Sequence, residues 1–198
     1  MLACAHSIRD DRRSAFSNRL KNYQKAGFPA GINTGRGRAA TYQIGHLLQM
    51  GLALELNQLG LNPERALEVI QSDMHSVAMS LFHSASDGPP DGEFTQPYFI
   101  YFDPAGLSDL MIERQEDRAV GSFFYAGLGQ MKDQLENRSH NGLGRISLLN
   151  VSALLWNIGS YAAYQLVEVS PAEVYEAVKV WASPYIHNEP YYDGNPEA

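Results

Sequence analysis

The side chains best suited to binding chemistry lie in the first quarter of the chain. Residues 1–40 contain eight lysine or arginine residues and two acidic residues, a net charge of +6. The remaining 158 residues contain seven basic and twenty acidic residues, a net charge of −13. Clustered ammonium and guanidinium groups attract polyanions such as DNA, whose phosphates are regularly spaced charges. Because the whole chain carries −7, this segregation predicts a nucleic-acid contact at the basic end.

Catalytic, metal-binding and membrane signatures are not found in the sequence. Cys4 is the only cysteine and the six histidines form no HxxxH or HExxH pair, so we expect no metal. No GxSxG, P-loop or Rossmann motif occurs, and residues 127–129 are interpreted as a loop. We therefore expect no cofactor and no enzymatic activity. The single thiol and the short apolar runs predict a cytoplasmic protein with no membrane partner. The expected DNA contact would make it nucleoid-associated.

The basic end is predicted to contain a helix followed by a glycine-rich hairpin. Residues 11–26 form the helix, which ends at Gly27 and Pro29. Its apolar positions repeat at helical spacing and are Ala15, Phe16, Leu20, Tyr23 and Ala26. Residues 30–43 are predicted to form a small hairpin with a basic tip.

Two further helices are predicted before a linker. One covers residues 43–59 and closes at Gly60. The next begins with Asn62 as its cap and continues to about residue 82. It carries a seam of two heptads, Leu67, Ile70, Met74, Val77 and Leu81. Residues 84–97 are rich in turn formers and are predicted to be the linker.

The second half is predicted to mix strands and helices. The strand-like segments are residues 97–102, 119–125 and 145–151. A helix capped by Ser152 follows to about residue 164, and a last helix opens with a capping box from Ser170 to Glu173. The expected fold class is α+β. The N-terminal part, whose order of helix, glycine stop and basic hairpin resembles a winged helix-turn-helix, is joined to a C-terminal mixed α/β domain with a small sheet. The expected division is a DNA-binding domain at 1–83, a linker at 84–97, a dimerisation or sensor domain at 98–183 and an extended tail at 184–198.

The order of helix, glycine stop, basic hairpin and closing helices resembles the DNA-binding domain of the MerR family of transcriptional regulators. Residues 19–28 correspond to the family's recognition helix, Arg36, Arg38 and Tyr42 to its wing, and residues 55–66 to its closing helix pair. The resemblance covers about residues 10–75. Asn22 replaces the first of two tyrosines typical of the family, and two heptads are shorter than its dimerising coiled coil. The family's metal-sensing cysteines are absent.

The candidate DNA contacts belong to the predicted reading helix and wing. Asparagine pairs with adenine edges and arginine or lysine with guanine edges, while a wing reaches a minor groove or its phosphates. The candidates are Arg12, Arg13, Ser17, Asn18, Arg19, Lys21, Asn22, Tyr23, Lys25, Arg36, Arg38 and Tyr42. The alternative is that these cations only solvate a helix face. For Tyr23, burial in the core and contact with DNA are equally consistent with its position.

Aromatic residues of the second half form a second, weaker set of candidates. They are Tyr98, Tyr101, Phe123, Tyr125 and Trp156. Such residues line ligand pockets and dimer interfaces, and they also fill ordinary cores.

The leading functional hypothesis is a sequence-specific transcriptional regulator that binds double-stranded DNA as a homodimer. RNA polymerase and a small-molecule effector are its further possible partners. The alternatives are an excisionase-type architectural or recombination accessory factor, which bends DNA, and a protein–protein adaptor whose basic end meets an acidic partner.

Overall fold

The computed structural model describes residues 2–32, 41–88, 95–102, 123–136, 146–165 and 169–186. Within them the chain is mostly helical and has one small antiparallel sheet, so the predicted α+β class is confirmed. The N-terminal elements are α1 (Leu2–Ala5), a 3-10 turn (Asp10–Arg12), α2 (Arg13–Lys25), α3 (Ile44–Gln58), α4 (Pro63–Ser72) and α5 (Met74–Asp87). The later elements are β1 (Tyr98–Phe102), β2 (Phe124–Gly127), α6 (Leu128–Glu136), β3 (Ser147–Asn150), α7 (Val151–Gln165) and α8 (Pro171–Ile186).

The sheet has the order β2-β1-β3, with β1 antiparallel to both neighbours. Ile100 lies opposite Tyr125 on one side and Leu149 on the other. Because side chains alternate along a strand, Ile100 and Phe102 join the main core, whereas Tyr101 packs beside Met131 of α6 on the other face.

The main core takes side chains from both sides of the predicted linker. Leu52 of α3 and Leu81 of α5 belong to the same buried cluster as Ile158 of α7 and Val178 of α8. Helix α5 packs along α8, and α3 packs against α7 and α8. The division into two domains stays a prediction.

The helix predicted from residue 62 to about 82 is wrong as a continuous element. It is two helices, α4 and α5, that meet at Asp73, whose φ of −129° and ψ of 51° are not helical. The carboxylate of Asp73 accepts the backbone N–H of Ser76 and thereby caps α5. The apolar repeat continues across this break because both helices pack their apolar side chains into the same core. The repeat therefore indicates which residues are buried and does not indicate one continuous helix.

Four other boundaries differ from the sequence prediction. Residues 84–87 form the last turn of α5 and are not part of a linker. Residues 127–129 are the end of β2 and the start of α6, and they do not form a loop. The cap of α7 is Asn150, whose side chain accepts the N–H of Ala153, whereas Ser152 is buried inside the helix. Residues 184–186 continue α8 instead of starting a tail.

The other predicted helices and the three predicted strands of the second half are confirmed to within a few residues, including the Ser170–Glu173 capping box of α8. Of the predicted hairpin at 30–43, the described residues 30–32 and 41–43 are turn or irregular structure and not strand. The predicted hairpin tip, the central part of the linker, residues 119–122 of the second strand and the tail beyond residue 186 lie outside the described residues. No helix in the described part of the chain combines the length and apolarity that a membrane span requires.

Candidate nucleic-acid interface

Helix α2 has one inward and one outward stripe. Phe16, Leu20 and Tyr23 follow one another at i, i+4 and i+7 and pack against the main core. Only Tyr23 among the residues of α2 is fully buried, with 1% of its surface exposed. Most of the helix surface is therefore open to a partner.

Tyr23 is a core residue and not a surface contact, which decides between the two alternatives that the sequence left open. Its ring meets Phe28 edge to face, with centroids 6.3 Å apart. Its hydroxyl donates to Oδ1 of Asn57 at the end of α3. Burial raises the pKa of Tyr23, and the nearby charge of Arg19 opposes that rise. The predicted DNA contact at Tyr23 is accordingly wrong, because the hydroxyl is engaged inside the protein.

The outward stripe consists of the predicted reading residues. Asn18, Lys21, Asn22 and Lys25 follow at i, i+3, i+4 and i+7, and all are exposed. Arg19 and Ser17 flank this stripe and are exposed as well. The structure thus brings six predicted contacts onto one side of one helix.

Arg19, Lys21 and Lys25 are the cations of α2 that have no acidic partner in the described part of the chain. The helix contains no acidic residue. Among the residues that the structure describes, none of these three cations is within ion-pair distance of a carboxylate. Their charge is consequently available to an external anion.

Arg12 and Arg13 differ, since each lies beside an aspartate. Arg13 Nε is 2.8 Å from Asp10, and Arg12 Nε is 3.7 Å from Asp11. All four side chains are more than half exposed. Exposed pairs of this kind contribute little to stability, so a phosphate can replace the carboxylate partner. These two predicted contacts are weaker candidates than the cations of the outward stripe.

The wing residues are only partly described. Arg36 and Arg38 lie outside the described residues. Tyr42 is half-buried just before α3, and its hydroxyl accepts a hydrogen bond from Nε2 of Gln24. Burial raises the pKa of Tyr42. Since a hydroxyl that accepts one bond still has its own proton to donate, a phosphate contact by Tyr42 stays a prediction.

The aromatic candidates of the second half lie in two environments. Tyr101 and Phe123 are buried, and Phe123 packs edge to face against Phe102. Tyr98 and Tyr125 are half-buried and stack on His83 of α5, with ring centroids 5.1 and 6.1 Å from the imidazole. Burial, together with the Asp87 side chain, raises the pKa of Tyr98 to about 12.

These contacts show what four of the five aromatic side chains do within the chain. They fill the interface between the sheet and the helices, which is the structural role that the sequence weighed beside a pocket or a dimer contact. Trp156 is half-buried on α7. A ligand-binding or dimer role for any of the five stays a prediction.

Two residues of this region were not singled out from the sequence. Asn57 and Gln24 are neutral amides without a motif, and only their hydrogen bonds to Tyr23 and Tyr42 reveal them. No group of three or more His, Cys, Asp or Glu side chains that could hold a metal ion occurs within the described stretches.

Comparisons with known proteins identify no relative of this chain. No family model, no curated protein and no solved structure matches the chain.

Proposed function

We propose that the chain is a sequence-specific regulator of transcription that binds double-stranded DNA, with α2 in the major groove. The observation that carries the proposal is the outward stripe of α2. It presents two amide side chains next to Lys21 and Lys25, and Arg19 flanks it. These three cations have no ion-pair partner among the described residues. Amides and cations are the groups that read base edges and neutralise phosphates.

A duplex fits this surface better than a single strand. An α-helix with its side chains is about 10–12 Å wide and the major groove is about 12 Å wide. Proteins that bind single strands stack bases on exposed aromatic rings. The aromatic residues in and around α2 instead contact the core: Phe16 is partly buried, and Tyr23 and Phe28 are 1% exposed.

The order of elements also supports a MerR-like domain. Helix α2 is followed by the basic segment around Arg36 and Arg38 and then by α3 and α4. That is the order of recognition helix, wing and closing helix pair in the family. The assignment of a wing rests on sequence alone, because residues 33–40 are not described.

We further propose that the regulator acts as a dimer, since one such module contacts few bases. The apolar seam of α4 and α5 is not free for pairing because Leu67, Ile70, Val77 and Leu81 are buried within the chain. Large apolar side chains remain exposed elsewhere, with Tyr164 of α7 at 78% and Val180 of α8 at 73%. A dimer would therefore use a surface of the second half and not a coiled coil of α5.

The test begins with selection of duplexes from a random-sequence library by the full chain, followed by anisotropy titrations at several salt concentrations. The double variant Lys21→Ala/Lys25→Ala should bind the selected duplex at least tenfold more weakly. The slope of log affinity against log salt is negative, and each lost phosphate contact makes it less steep by about 0.9, so we expect its steepness to fall by about 1.8. The matched control is Lys132→Ala/Lys179→Ala, which removes the same charge from lysines that pair with Glu136 and Glu176.

Three results would overturn the proposal. They are a library from which no duplex is enriched, binding that does not respond to salt, and a control variant that weakens binding as much as the α2 variant. Sedimentation of the complex tests the dimer, which requires two chains of 22.0 kDa on each duplex.

A further inference from the structure

Helix α2 is attached to both ends of α3 by two neighbouring residues. Tyr23 donates to Asn57 in the last turn of α3. Gln24, the next residue, donates to Tyr42, which precedes the first turn of α3. Because α3 contains 15 residues, these two points are separated by about 22 Å of helix.

Asn57 extends the first attachment into the following corner. Its Oδ1 accepts the Tyr23 hydroxyl, while its Nδ2 donates to the carbonyl oxygen of Leu61 at 3.2 Å. The phenol is therefore connected through one amide to the turn between α3 and α4. An amide is required for both bonds, since a carboxylate has no donor and an aliphatic chain has neither group.

Apolar contacts set the rotation of α2 about its axis only coarsely. Of its three core-facing residues, Phe16 and Leu20 are partly buried and Tyr23 alone is fully buried. A ring in an apolar pocket tolerates small rotations, whereas a hydrogen bond weakens steeply when its angle is lost. The two attachments thus fix the direction in which the outward stripe faces.

We propose that Asn57 and Gln24 are positioning residues for DNA recognition, setting the rotation of α2 without touching DNA themselves. This inference rests on the proposed function. The proposal predicts different effects on sequence discrimination and on salt-dependent affinity. Hydrogen bonds to base edges need narrow geometry, whereas phosphate attraction tolerates displacement of a long lysine side chain. Loss of positioning should accordingly reduce sequence discrimination more than salt-dependent affinity.

The experiment measures the ratio of affinities for the selected duplex and for a scrambled duplex of equal length. We expect Tyr23→Phe, Asn57→Leu and Gln24→Met each to lower this ratio about three- to tenfold, the range that one lost hydrogen bond produces. The affinity for the scrambled duplex and the salt slope should stay near those of the parent chain. The double variant Tyr23→Phe/Asn57→Leu should lose no more than the larger single loss, because both changes break one connection.

A matched control separates positioning from stability. Ser170→Ala removes the hydroxyl that accepts the Glu173 N–H in the capping box of α8 and should lower the melting temperature while leaving the affinity ratio unchanged. All titrations are run at a temperature at which circular dichroism shows each variant folded. Tyr23→Phe keeps the buried ring, so it serves if Asn57→Leu fails to fold.

Each outcome has one meaning. If the three variants keep the parental ratio on an enriched duplex, the positioning role is refuted and the proposed function survives. If Ser170→Ala lowers the ratio equally, the loss reflects stability and the positioning role is again refuted. If no duplex is enriched, the proposed function itself fails and this inference fails with it.

Discussion

Individual polar side chains hold the N-terminal helices together. The side chain of His6 is buried, and its Nδ1 lies 2.9 Å from a carboxylate oxygen of Glu55, which joins the turn after α1 to α3. His46, in the first turn of α3, accepts the backbone N–H of Gln43 on Nδ1 at 3.1 Å. This bond requires an unprotonated Nδ1, and burial lowers the pKa of His46 below its ordinary value of 6.5. Both histidines thus have structural roles that their isolated positions in the sequence do not reveal.

At this scale we predict a pH dependence that arises from His46. Because the folded chain favours the neutral imidazole, the stabilisation is complete above pH 6.5 and is lost as the pH falls through the lower folded pKa. In His46→Gln the amide oxygen replaces the acceptor but does not titrate. Its melting temperature should therefore decrease less than that of the parent chain between about pH 7 and pH 5. An NMR titration that places the pKa of His46 at or above 6.5 would contradict this account.

At the scale of elements, Asp73 organises a three-way junction. Its Oδ1 accepts the N–H of Ser76 at 3.2 Å, and its Oδ2 accepts the N–H of Phe123 at 2.7 Å. The backbone N–H of Asp73 donates to the carbonyl oxygen of Val69 at the end of α4, while its carboxylate caps α5 and attaches the chain just before β2. This junction explains why the apolar repeat of residues 67–81 spans two helices that pack on one core.

We predict that Asp73→Ala lowers the free energy of unfolding by about 2 kcal/mol, since it removes a helix cap and a second hydrogen bond to a backbone N–H. Asp73→Asn retains one acceptor oxygen and should lose about half as much. The control is Gln71→Ala, an exposed change in α4 that should stay near the parental value. Urea unfolding at neutral pH measures all three, and equal stability of the alanine and parent chains would refute the junction.

At the scale of the whole molecule, close helix contacts join the first and second halves. A Cβ atom on Gly45 of α3 would lie 2.3 Å from the Trp181 ring of α8. A Cβ on Gly51 would lie 2.5 Å from Ile158 of α7. Glycine at these two positions permits α3 to approach the C-terminal helices closely.

We expect Gly45→Ala to destabilise the chain by about 1–3 kcal/mol, because the new methyl group overlaps a bulky ring. The matched control is Gly129→Ala in α6, where a Cβ meets nothing within 4 Å. There the higher helix propensity of alanine should leave stability unchanged or raise it by up to about 1 kcal/mol. Tryptophan fluorescence and far-UV circular dichroism should give one coincident unfolding transition in each variant, since both halves share a core. Separate midpoints would show that the halves unfold independently.

The sequence by itself determined most of the helices and the location of the basic face. Apolar residues at helical spacing define α2 and α3, and Asn62-Pro63 and Ser170-Pro171 specify where α4 and α8 begin. These signals are local, because capping and periodicity depend on residues within one or two turns. Charge segregation likewise needs only a count of residues.

Only the tertiary structure decided what the polar and aromatic side chains contact. Tyr23 is buried and bonds to Asn57, and Gln24 bonds to Tyr42, so that both bonds attach α2 to the neighbourhood of α3. Asp73 caps α5 and also binds the backbone N–H of Phe123. The hydrogen bonds from Tyr23 to Asn57, from Gln24 to Tyr42 and from Phe123 to Asp73 each join residues at least 18 positions apart. Sequence spacing does not specify which distant partner a hydrogen-bonding group meets, since that depends on how the helices pack. For the same reason the residues of the outward stripe of α2 could be identified from the sequence, but the direction in which the stripe faces could not.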